Sequence, residues 1–268
     1  MNNEQYHAET EHLSASGLKL FMRSPLHYWD AYLNPDRFRK PPTAAMKLGT
    51  AAHCAILEPQ EFSKRYILRP SHINARTNEG KAELAALAAS GVEILADDDY
   101  EHIIDMTESF KAHPVSAWLL GMDYKTEQTI FGEINGVKCK CRPDFLAGDI
   151  MMDVKSTRDA SVGGFGRQAW NLGYHIQEAF YRRVAGHTGR FLFGAVESDR
   201  PYLVQYHESD ESLIDYANDV IDEALERFKK CKDSGIWPGY GSSIETLAIP
   251  KWALREIENE GELEINYV

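Results

Sequence analysis

The chain has 268 residues, 43% of them hydrophobic and 26% charged, and a formal net charge of −12. These proportions are those of an ordinary globular protein of one or two domains, and they exclude collagen-like and disordered chains. No apolar run approaches the roughly 20 residues of a membrane-spanning helix, and the polar N-terminus lacks the apolar segment of a secretory signal. We therefore expect a cytoplasmic protein.

The charge is unevenly distributed along the chain. Residues 37–81 carry nine Lys and Arg against three Glu, a net charge of +6, whereas residues 206–268 carry fifteen Asp and Glu against six Lys and Arg, a net charge of −9. An acidic chain is not expected to coat nucleic acid, but the basic segment, which includes Arg76, could bind a polyanion locally. An ordinary solvated surface is the alternative interpretation.

The first part of the chain is predicted to be mainly helical. Ser14 or Ser16 is a suitable N-cap for a helix that Pro25 interrupts, and an alanine-rich helix ends before Pro59. The acidic residues 97–99 suit a helix N-terminus, where carboxylates meet the positive end of the dipole. The alanine-rich helix covers residues 44–58, and the helix with the acidic first turn covers residues 97–112. Another helix is predicted at residues 78–90, after a loop at 70–78.

Strand patterning begins at residue 124 and predicts a three-stranded antiparallel meander. Asn135-Gly136 is a strong hairpin signal because both residues tolerate positive φ, and residues 147–149 form a second tight connection. The predicted strands cover residues 127–133, 137–146 and 150–155. They are followed by helices near 159–170 and 173–187, strands near 190–198 and 201–207, and a long helix at about 210–232.

These elements predict one α/β domain that spans residues 1–268. Its parts are a mainly helical region at 1–112, a catalytic sheet with helices at 124–232, and an irregular tail at 233–268. In the tail, Trp237-Pro238 and residues 250–252 are the expected packing anchors.

The cysteines give little functional information. Four are too few for a disulfide scaffold in a chain of this length. Because the sequence has no C-x₂-C run, an iron–sulfur cluster is only a minor alternative. The four residues are Cys54, Cys139, Cys141 and Cys231.

Two aspartates of the meander are predicted to face each other. A turn centred between residues 148 and 149 sets Asp144 opposite Asp153, and directly opposed residues have Cβ atoms roughly 4.5–5.5 Å apart. Two carboxylates this close repel unless a cation lies between them, and Mg²⁺ or Mn²⁺ prefers such oxygen ligands. Lys155 lies one pleat further along the same face. A surface salt bridge between Asp153 and Lys155 is the alternative, but apolar neighbours predict a largely buried strand, where charges need partners or a metal.

This arrangement suits phosphodiester hydrolysis. A metal-activated water is a potent nucleophile, and Lys155 can orient or deprotonate that water and offset the developing negative charge. Lys138, Lys140 and Arg142 share the face of Asp144 and could hold phosphates. The two lysines lie nearer the hairpin and could equally be solvated.

Three motifs occur in a meaningful order. Pro143-Asp144 precedes Asp153-Val154-Lys155 by eight residues, Gly49 to His53 read GTAAH upstream on a predicted helix, and Gln177 to Tyr181 read QEAFY downstream on another. Together they resemble the signature of the PD-(D/E)XK nucleases and the G-x-x-x-H and Q-x-x-x-Y motifs of their RecB-like branch. Asp153 takes a position that is Glu in many members.

The stretches LGTAAHCAILEPQEF, CKCRPDFL, IMMDVKST and YHIQEAFY resemble the nuclease domain of the RecE (exonuclease VIII) family, over roughly residues 45–255. The resemblance implies an α/β PD-(D/E)XK fold, in which a central mixed sheet with an antiparallel meander is flanked by helices and carries an N-terminal helical elaboration. It implies a Mg²⁺-dependent 5′→3′ exonuclease, with Mn²⁺ as a substitute, that digests linear double-stranded DNA and leaves 3′ single strands for recombination by strand annealing. It also implies a ring-shaped homotetramer and a RecT-like single-strand annealing partner.

The resemblance further implies a set of metal ligands. Asp144 and Asp153 would hold the ion, with the Val154 carbonyl as a further ligand. His53 would supply an imidazole, although a lone histidine on such a helix is otherwise more typical of a core. Glu127 would complete a second metal site or contact the ion through water, and a solvated residue at a strand end is the alternative.

The remaining matched residues have two interpretations each. Gln177 and Tyr181 share one helical face and would steady the site or touch DNA, whereas Tyr181 could also be ordinary core. Ser156 and Thr157 could donate to a phosphate or cap the next helix. The predicted catalytic residues are Asp144, Asp153, Lys155, Gln177 and Tyr181, and the predicted DNA-binding residues are Arg142, Ser156, Thr157 and Arg76.

A non-catalytic DNA-end-binding or assembly module on a nuclease fold is the competing hypothesis. The presence of every motif residue favours an active enzyme instead. Within the enzyme class, an endonuclease stays open as an alternative, and a closed circular duplex distinguishes it, because an exonuclease leaves that substrate uncut.

Overall fold

The computed structural model describes residues 1, 3–38, 41, 43–250 and 254, without the side chains of Glu4 and Ala45. It contains two compact units, residues 1–238 and residues 239–268. In the second unit, the described segment 239–250 is irregular. Among the described residues, no helix combines the length and the apolar character needed to cross a membrane. Of the sequence predictions, those for Arg39 and Lys40 in the basic segment and for residues 251 and 252 as packing anchors lie outside the described residues.

All the labelled elements lie in residues 1–238. The helices are α1 (Asn3–Ala8), α2 (Ala15–Arg23), α3 (Pro25–Tyr28), α4 (Ala44–Leu57), α5 (Pro59–Arg65), α6 (Asn78–Ala88), α7 (Asp97–Ala112), α8 (Pro114–Leu120), α9 (Val162–Leu172), α10 (Tyr174–Ala185) and α11 (Glu211–Ser234), with a π-helical turn at Trp29–Leu33. The strands are β1 (Leu13–Ser14), β2 (Tyr66–Leu68), β3 (Glu93–Leu95), β4 (Lys125–Thr126), β5 (Ile130–Ile134), β6 (Val137–Cys141), β7 (Phe145–Ala147), β8 (Ile150–Thr157), β9 (Arg190–Glu197) and β10 (Val204–His207).

Local sequence explains where the first helices begin. The Ser14 side chain accepts a hydrogen bond from the Gly17 amide at 3.1 Å and caps α2. Ser24 caps α3, whose first turn contains Pro25, a position where the missing amide hydrogen costs no helical hydrogen bond. Three aspartates occupy the first turn of α7, where they meet the positive end of the helix dipole.

A mixed sheet of five strands lies at the centre of the fold, in the order β10-β9-β8-β7-β4. The middle strands β8 and β9 are parallel, and the other neighbours pair antiparallel. Five consecutive residues at the start of β8, Ile150 to Val154, are buried, as expected for a central strand covered by helices on its faces. The predicted α/β class with a central mixed sheet is confirmed.

The predicted meander is wrong in one respect, because its second strand is two strands in different sheets. β6 ends at Cys141 and pairs with β5 and β1 in a separate three-stranded sheet. β7 begins at Phe145 and pairs with β8 in the central sheet. Pro143 lies in the break, and proline both lacks the amide hydrogen of a strand ladder and restricts the residue before it. The chain therefore changes sheet immediately before Asp144.

The register of the predicted carboxylate hairpin agrees with the structure. Phe145 pairs with Met152, and Ala147 pairs with Ile150. Gly148 has a φ of 56° at the turn between the strands, a conformation that glycine adopts without strain. Continued by one residue, this register brings Asp144 beside Asp153.

Several short elements have no counterpart in the sequence prediction, among them α1, β1, β4 and α5. β2 and β3 form a parallel pair of three residues each, and α8 adds seven residues after α7. Elements this short carry too few residues for a hydrophobic period to be recognised.

Phe21 of α2 anchors the core between the first helices and α11. Its side chain is 0% exposed, and its ring centre lies 5.3 Å from that of Phe228 and 6.3 Å from that of Trp237. Phe21→Ala is expected to lower the free energy of unfolding by about 3–5 kcal/mol, measured by denaturant titration. In Phe131, which is 46% exposed, the same change should cost less than about 1 kcal/mol. Equal losses at the two positions would contradict this placement of the core.

Candidate active site

Asp144 lies directly before β7, and its carboxylate is buried against β8. Its Oδ2 accepts a hydrogen bond from the Val154 amide at 2.7 Å and lies 3.4 Å from Nδ1 of His53, on α4. The predicted ligands from a helix and from a strand hairpin are therefore brought together.

Glu127 completes a group of three candidate metal ligands. It follows β4 with a φ of 53°, and its amide donates to the Asp144 carbonyl at 3.3 Å. Such a backbone costs of order 1–3 kcal/mol in a non-glycine residue, and strain of this kind is concentrated at functional sites. One ligand atom each from His53, Glu127 and Asp144 lies within 4.8 Å of the other two. Two carboxylate oxygens suit a hard divalent cation such as Mg²⁺ or Mn²⁺, and a ring nitrogen is a donor that transition metals accept.

The acidic members of this group have raised pKa values. Burial raises the pKa of Asp144 well above its ordinary range, and repulsion from Asp153 raises it further. Burial, and then the charge of Asp144, raise the pKa of Glu127 to about 7. The site thus concentrates more negative charge than its own cations neutralise, and a divalent cation would offset that excess.

Lys155 and Gln177 hold the second aspartate. Lys155, two residues after Asp153 on β8, forms an ion pair with its carboxylate. Gln177 of α10 donates to Asp153 Oδ1 at 2.6 Å and accepts from Lys155 Nζ at 3.2 Å. Burial opposes the charge of Lys155, but the carboxylates of Asp153 and Asp144 outweigh burial, and the pKa of the amine is raised. The amine is therefore a fixed cation next to the carboxylates.

Three further predicted residues adjoin this centre. Tyr181 lies one helical turn after Gln177 and is buried, and burial followed by the charge of Asp153 raises its pKa. Arg142 pairs with Glu127, with Nε 2.6 Å from Oε2. Ser156 lines the same cavity as His53.

Two predicted DNA-binding residues lie elsewhere. The Thr157 side chain is buried, and its hydroxyl lies 2.8 Å from Oε1 of Gln168 on α9 and 3.1 Å from the Asp159 carbonyl, so its hydrogen-bonding capacity is used within the protein. Arg76 is exposed on the loop before α6 and does not line the cavity. The alternative role of Ser156 and Thr157 as helix caps is wrong, because Ser161 caps α9.

For Lys140 the structure contradicts both interpretations, phosphate ligand and solvated residue, whereas Lys138 is exposed, as the second interpretation predicts. Lys140 is 3% exposed, and its amine donates to the carbonyls of Tyr6 and Glu9. Lys138 pairs with Glu11. Because the chain changes sheet at Pro143, these lysines lie in the three-stranded sheet, where they bind the N-terminal segment to β6.

The cysteines do not form a metal site. All four are described and are buried free thiols. The two groups of described residues that could hold an ion contain no cysteine. The iron–sulfur alternative therefore has no support in the structure.

A cavity of about 300 Å³ is lined by two of the three candidate ligands, His53 and Glu127. A groove of about 1110 Å³ continues from it, and the two share Asn3, Thr50 and Arg65. In the groove, Lys47 is 3.5 Å from Glu93 and Arg69 is 2.8 Å from Asp97. Among the described residues, Arg65 has no carboxylate partner, so the net positive charge of the groove is concentrated where it meets the cavity.

Sequence reasoning missed three residues around the centre. The guanidinium of Arg142 and the amine of Lys140 lie 5.6 and 4.3 Å from the Tyr6 ring centre. Lys155 and Lys19 lie 4.6 and 6.0 Å from the Tyr174 ring centre. Tyr174 could have been found, because it precedes Gln177 by three residues on one helical face. Tyr6 and Lys19 reach the site only through packing of distant segments.

The solved structures to which this chain is similar include three proteins. A candidate exonuclease from Eubacterium rectale is 13% identical, with a TM-score of 0.65 over 95% of this chain and 97% of the other. A phage-related exonuclease from Haemophilus somnus 129PT is 13% identical, with a TM-score of 0.37 over 84% and 96%. The alkaline exonuclease LHK-Exo from Laribacter hongkongensis is 16% identical, with a TM-score of 0.31 over 87% and 99%. No curated protein matches the chain.

A family model assigns most of the chain. It matches residues 14–249, a range that contains His53, Asp144, Asp153, Lys155 and Gln177. The Eubacterium rectale protein shares the fold of this chain. The chain therefore belongs to the family described as the PDDEXK-like domain of unknown function, DUF3799.

Proposed function

We propose that the protein is a Mg²⁺-dependent exodeoxyribonuclease that digests linear double-stranded DNA in the 5′→3′ direction and leaves 3′ single strands. The observation that carries the proposal is that the three candidate metal ligands lie next to the ion pair of Asp153 and Lys155. Asp144, one of these ligands, and Asp153 belong to the same strand hairpin. His53, Glu127 and Asp144 supply three ligand atoms within 4.8 Å of one another, and next to them Asp153 is paired with Lys155.

The residues present fit a divalent metal. Burial, and then the charge of Asp144, raise the pKa of Glu127 to about 7, and a hard cation is the natural partner of such oxygens. His53, Glu127 and Asp144 would hold the ion, with the Val154 carbonyl and Asp153 as further candidates. When bound, the ion would act as a Lewis acid on a phosphate oxygen and lower the pKa of a water. Mn²⁺ would substitute for Mg²⁺, because both accept this set of donors.

The protein's own groups would orient the phosphodiester. Lys155 carries a fixed positive charge beside Asp153, suited to a developing negative charge on phosphate. Gln177 fixes the position of that amine relative to that carboxylate, because it forms one hydrogen bond with each of them. Ser156 lines the cavity and can donate to a phosphate oxygen, and Arg142 can approach the same oxygen from its ion pair with Glu127.

The groove beyond the cavity supports a nucleic-acid substrate. Arg65 stands at the junction, and Lys47 and Arg69 line the groove further along. Because phosphate contacts release counterions, cleavage by such a surface falls as salt is added. The direction of digestion, a ring-shaped homotetramer and a RecT-like annealing partner are proposed from the resemblance to the RecE family alone.

A linear duplex labelled at one 5′ end tests the proposal against a nicked circle and a closed circle, each with Mg²⁺ or with EDTA. We expect the label to be released early from the linear duplex in Mg²⁺, the closed circle to stay intact, and no cleavage in EDTA. Cutting of the closed circle would replace this proposal with an endonuclease. Binding of duplex ends without metal-stimulated cleavage would favour the non-catalytic module.

A further inference from the structure

An exposed stack of aromatic rings lies on the helical side of the protein. Trp170 of α9 is stacked on His175 of α10, with ring centres 4.9 Å apart, and on Tyr216 of α11, with centres 5.5 Å apart. The rings of His175 and Tyr216 are themselves only 6.1 Å apart. If the rings of His175 and Tyr216 lay on opposite faces of the indole, their centres would be separated by nearly the sum of 4.9 and 5.5 Å. Because they are only 6.1 Å apart, both rings lie on the same face of Trp170.

The second face of Trp170 therefore has no ring partner among the described residues, and the residue is 54% exposed. A large aromatic side chain that is stacked on two others and is more than half exposed can accept another planar group. Unpaired nucleobases are planar groups of this kind, and each of the bases can stack on an aromatic side chain.

A lysine accompanies this platform. Lys19 of α2 lines the same cavity of about 300 Å³ as Trp170 and Tyr216. Its amine donates to the Leu172 carbonyl at 2.9 Å and has no carboxylate partner among the described residues. A cation next to an aromatic face suits a nucleotide, because the phosphate and the base can each be bound.

The platform adjoins the proposed catalytic centre. Lys19 and Lys155 both lie against the ring of Tyr174, with their amines 6.0 and 4.6 Å from its centre. One side chain thus separates the lysine of the platform from the lysine paired with Asp153. The two amines are therefore at most 10.6 Å apart.

The chemistry also selects the form of the nucleic acid. Inside a duplex, neighbouring base pairs cover both faces of each base, so away from the duplex ends only an unpaired base can stack on Trp170. The acidic residues Asp215 and Asp219 flank Tyr216 on α11 and repel phosphate, which orients the sugar–phosphate backbone towards Lys19 and the base towards the aromatic rings.

The geometry points to a binding subsite for one unpaired nucleotide of single-stranded DNA, formed by Trp170 and Lys19 beside the proposed catalytic centre. This inference rests on the proposed nuclease function, since strand separation at the centre supplies the unpaired nucleotide. His175 and Tyr216 stack on one face of the indole ring of Trp170 and act as positioning residues.

Binding of a labelled short oligothymidylate, measured by fluorescence anisotropy in EDTA, tests the subsite. Trp170→Ala is expected to raise the dissociation constant about 10- to 100-fold, as for loss of one base–aromatic stack. Trp170→Phe should recover most of the affinity, and Lys19→Gln should weaken binding in a salt-dependent way. Trp118→Ala is the matched control, because Trp118 is similarly exposed, at 52%, on α8.

The outcomes separate this inference from the proposed function. If the wild-type protein digests linear duplex in Mg²⁺ but both Trp170→Ala and Lys19→Gln bind oligothymidylate as it does, the subsite is refuted alone. If digestion is absent but Trp170-dependent binding is found, the subsite stands and the nuclease proposal fails. If Trp170→Ala changes only the oligomeric state in size-exclusion chromatography, the platform is an interface between copies and the inference is wrong. Should Trp170→Ala fail to fold, the comparison of Trp170→Phe with Lys19→Gln decides, because only loss of the charge should then weaken binding.

Discussion

Replacing Asp153 with asparagine is expected to lower the rate of metal-dependent DNA cleavage roughly a thousandfold or more while the chain stays folded. Asparagine has the shape of aspartate and can still accept the hydrogen bond that Gln177 donates to Asp153 at 2.6 Å. It lacks the charge that forms the ion pair with Lys155. Initial rates on a linear duplex in Mg²⁺, with far-ultraviolet circular dichroism as the check on folding, measure the effect.

The control for this variant is in the same hairpin. Asp149 lies in the turn between β7 and β8, and it is exposed, so Asp149→Asn removes one negative charge without touching the centre. We expect its cleavage rate to stay within about twofold of the wild-type rate, as for a surface substitution. A folded Asp153→Asn variant with the activity of Asp149→Asn would exclude Asp153 from catalysis.

The hairpin that carries both aspartates could be predicted from the sequence because its determinants are local. Alternation of side chains along a strand and a turn at residues 147–149 fix which residues are opposed, and the pairing of Phe145 with Met152 agrees with that register. The helix at residues 97–112 has the predicted bounds, for the same reason. Its acidic first turn and its periodicity are contained within the element itself.

The path of the chain before this hairpin could not be read from strand patterning. Residues 137–146 have the composition of one strand, but Pro143 interrupts it, and the two halves enter different sheets. The consequence is functional. Lys140 could hold a phosphate or be solvated according to the strand pattern. In the structure it is a buried cation whose amine donates to the carbonyls of Tyr6 and Glu9.

The candidate centre itself needed both local and distant information. Asp153 and Lys155 are two residues apart and are predicted by the strand period alone, whereas His53 joins Asp144 from a helix about ninety positions earlier in the chain. Only the motif resemblance suggested that approach. Tyr6 and Lys19 belong to no motif and approach the centre through packing of the first helices, so a single sequence contains no signal for them.

Binding of a divalent metal is expected to raise the melting temperature of the wild-type protein, and Asp144→Asn is expected to abolish that rise. At a metal concentration one hundred times the dissociation constant, binding adds about 2.7 kcal/mol of stability, which corresponds to several degrees in a chain of this size. Differential scanning calorimetry in EDTA, Mg²⁺ and Mn²⁺ measures the shift, and Asp149→Asn, which should keep it, is the control. An unchanged melting temperature in the wild-type protein at millimolar metal would contradict the proposed metal site.

The same variant should be more stable than the wild-type protein when no metal is present. Burial and the charge of Asp153 disfavour ionised Asp144 and raise its pKa, so a neutral asparagine removes an unfavourable interaction from the folded state. Its side-chain oxygen can keep the hydrogen bond from the Val154 amide, now 2.7 Å long. We expect a melting temperature in EDTA that is a few degrees above that of the wild-type protein. A lower melting temperature would mean that Asp144 serves the fold, whereas the expected increase would identify it as a residue retained for binding a cation at the expense of stability.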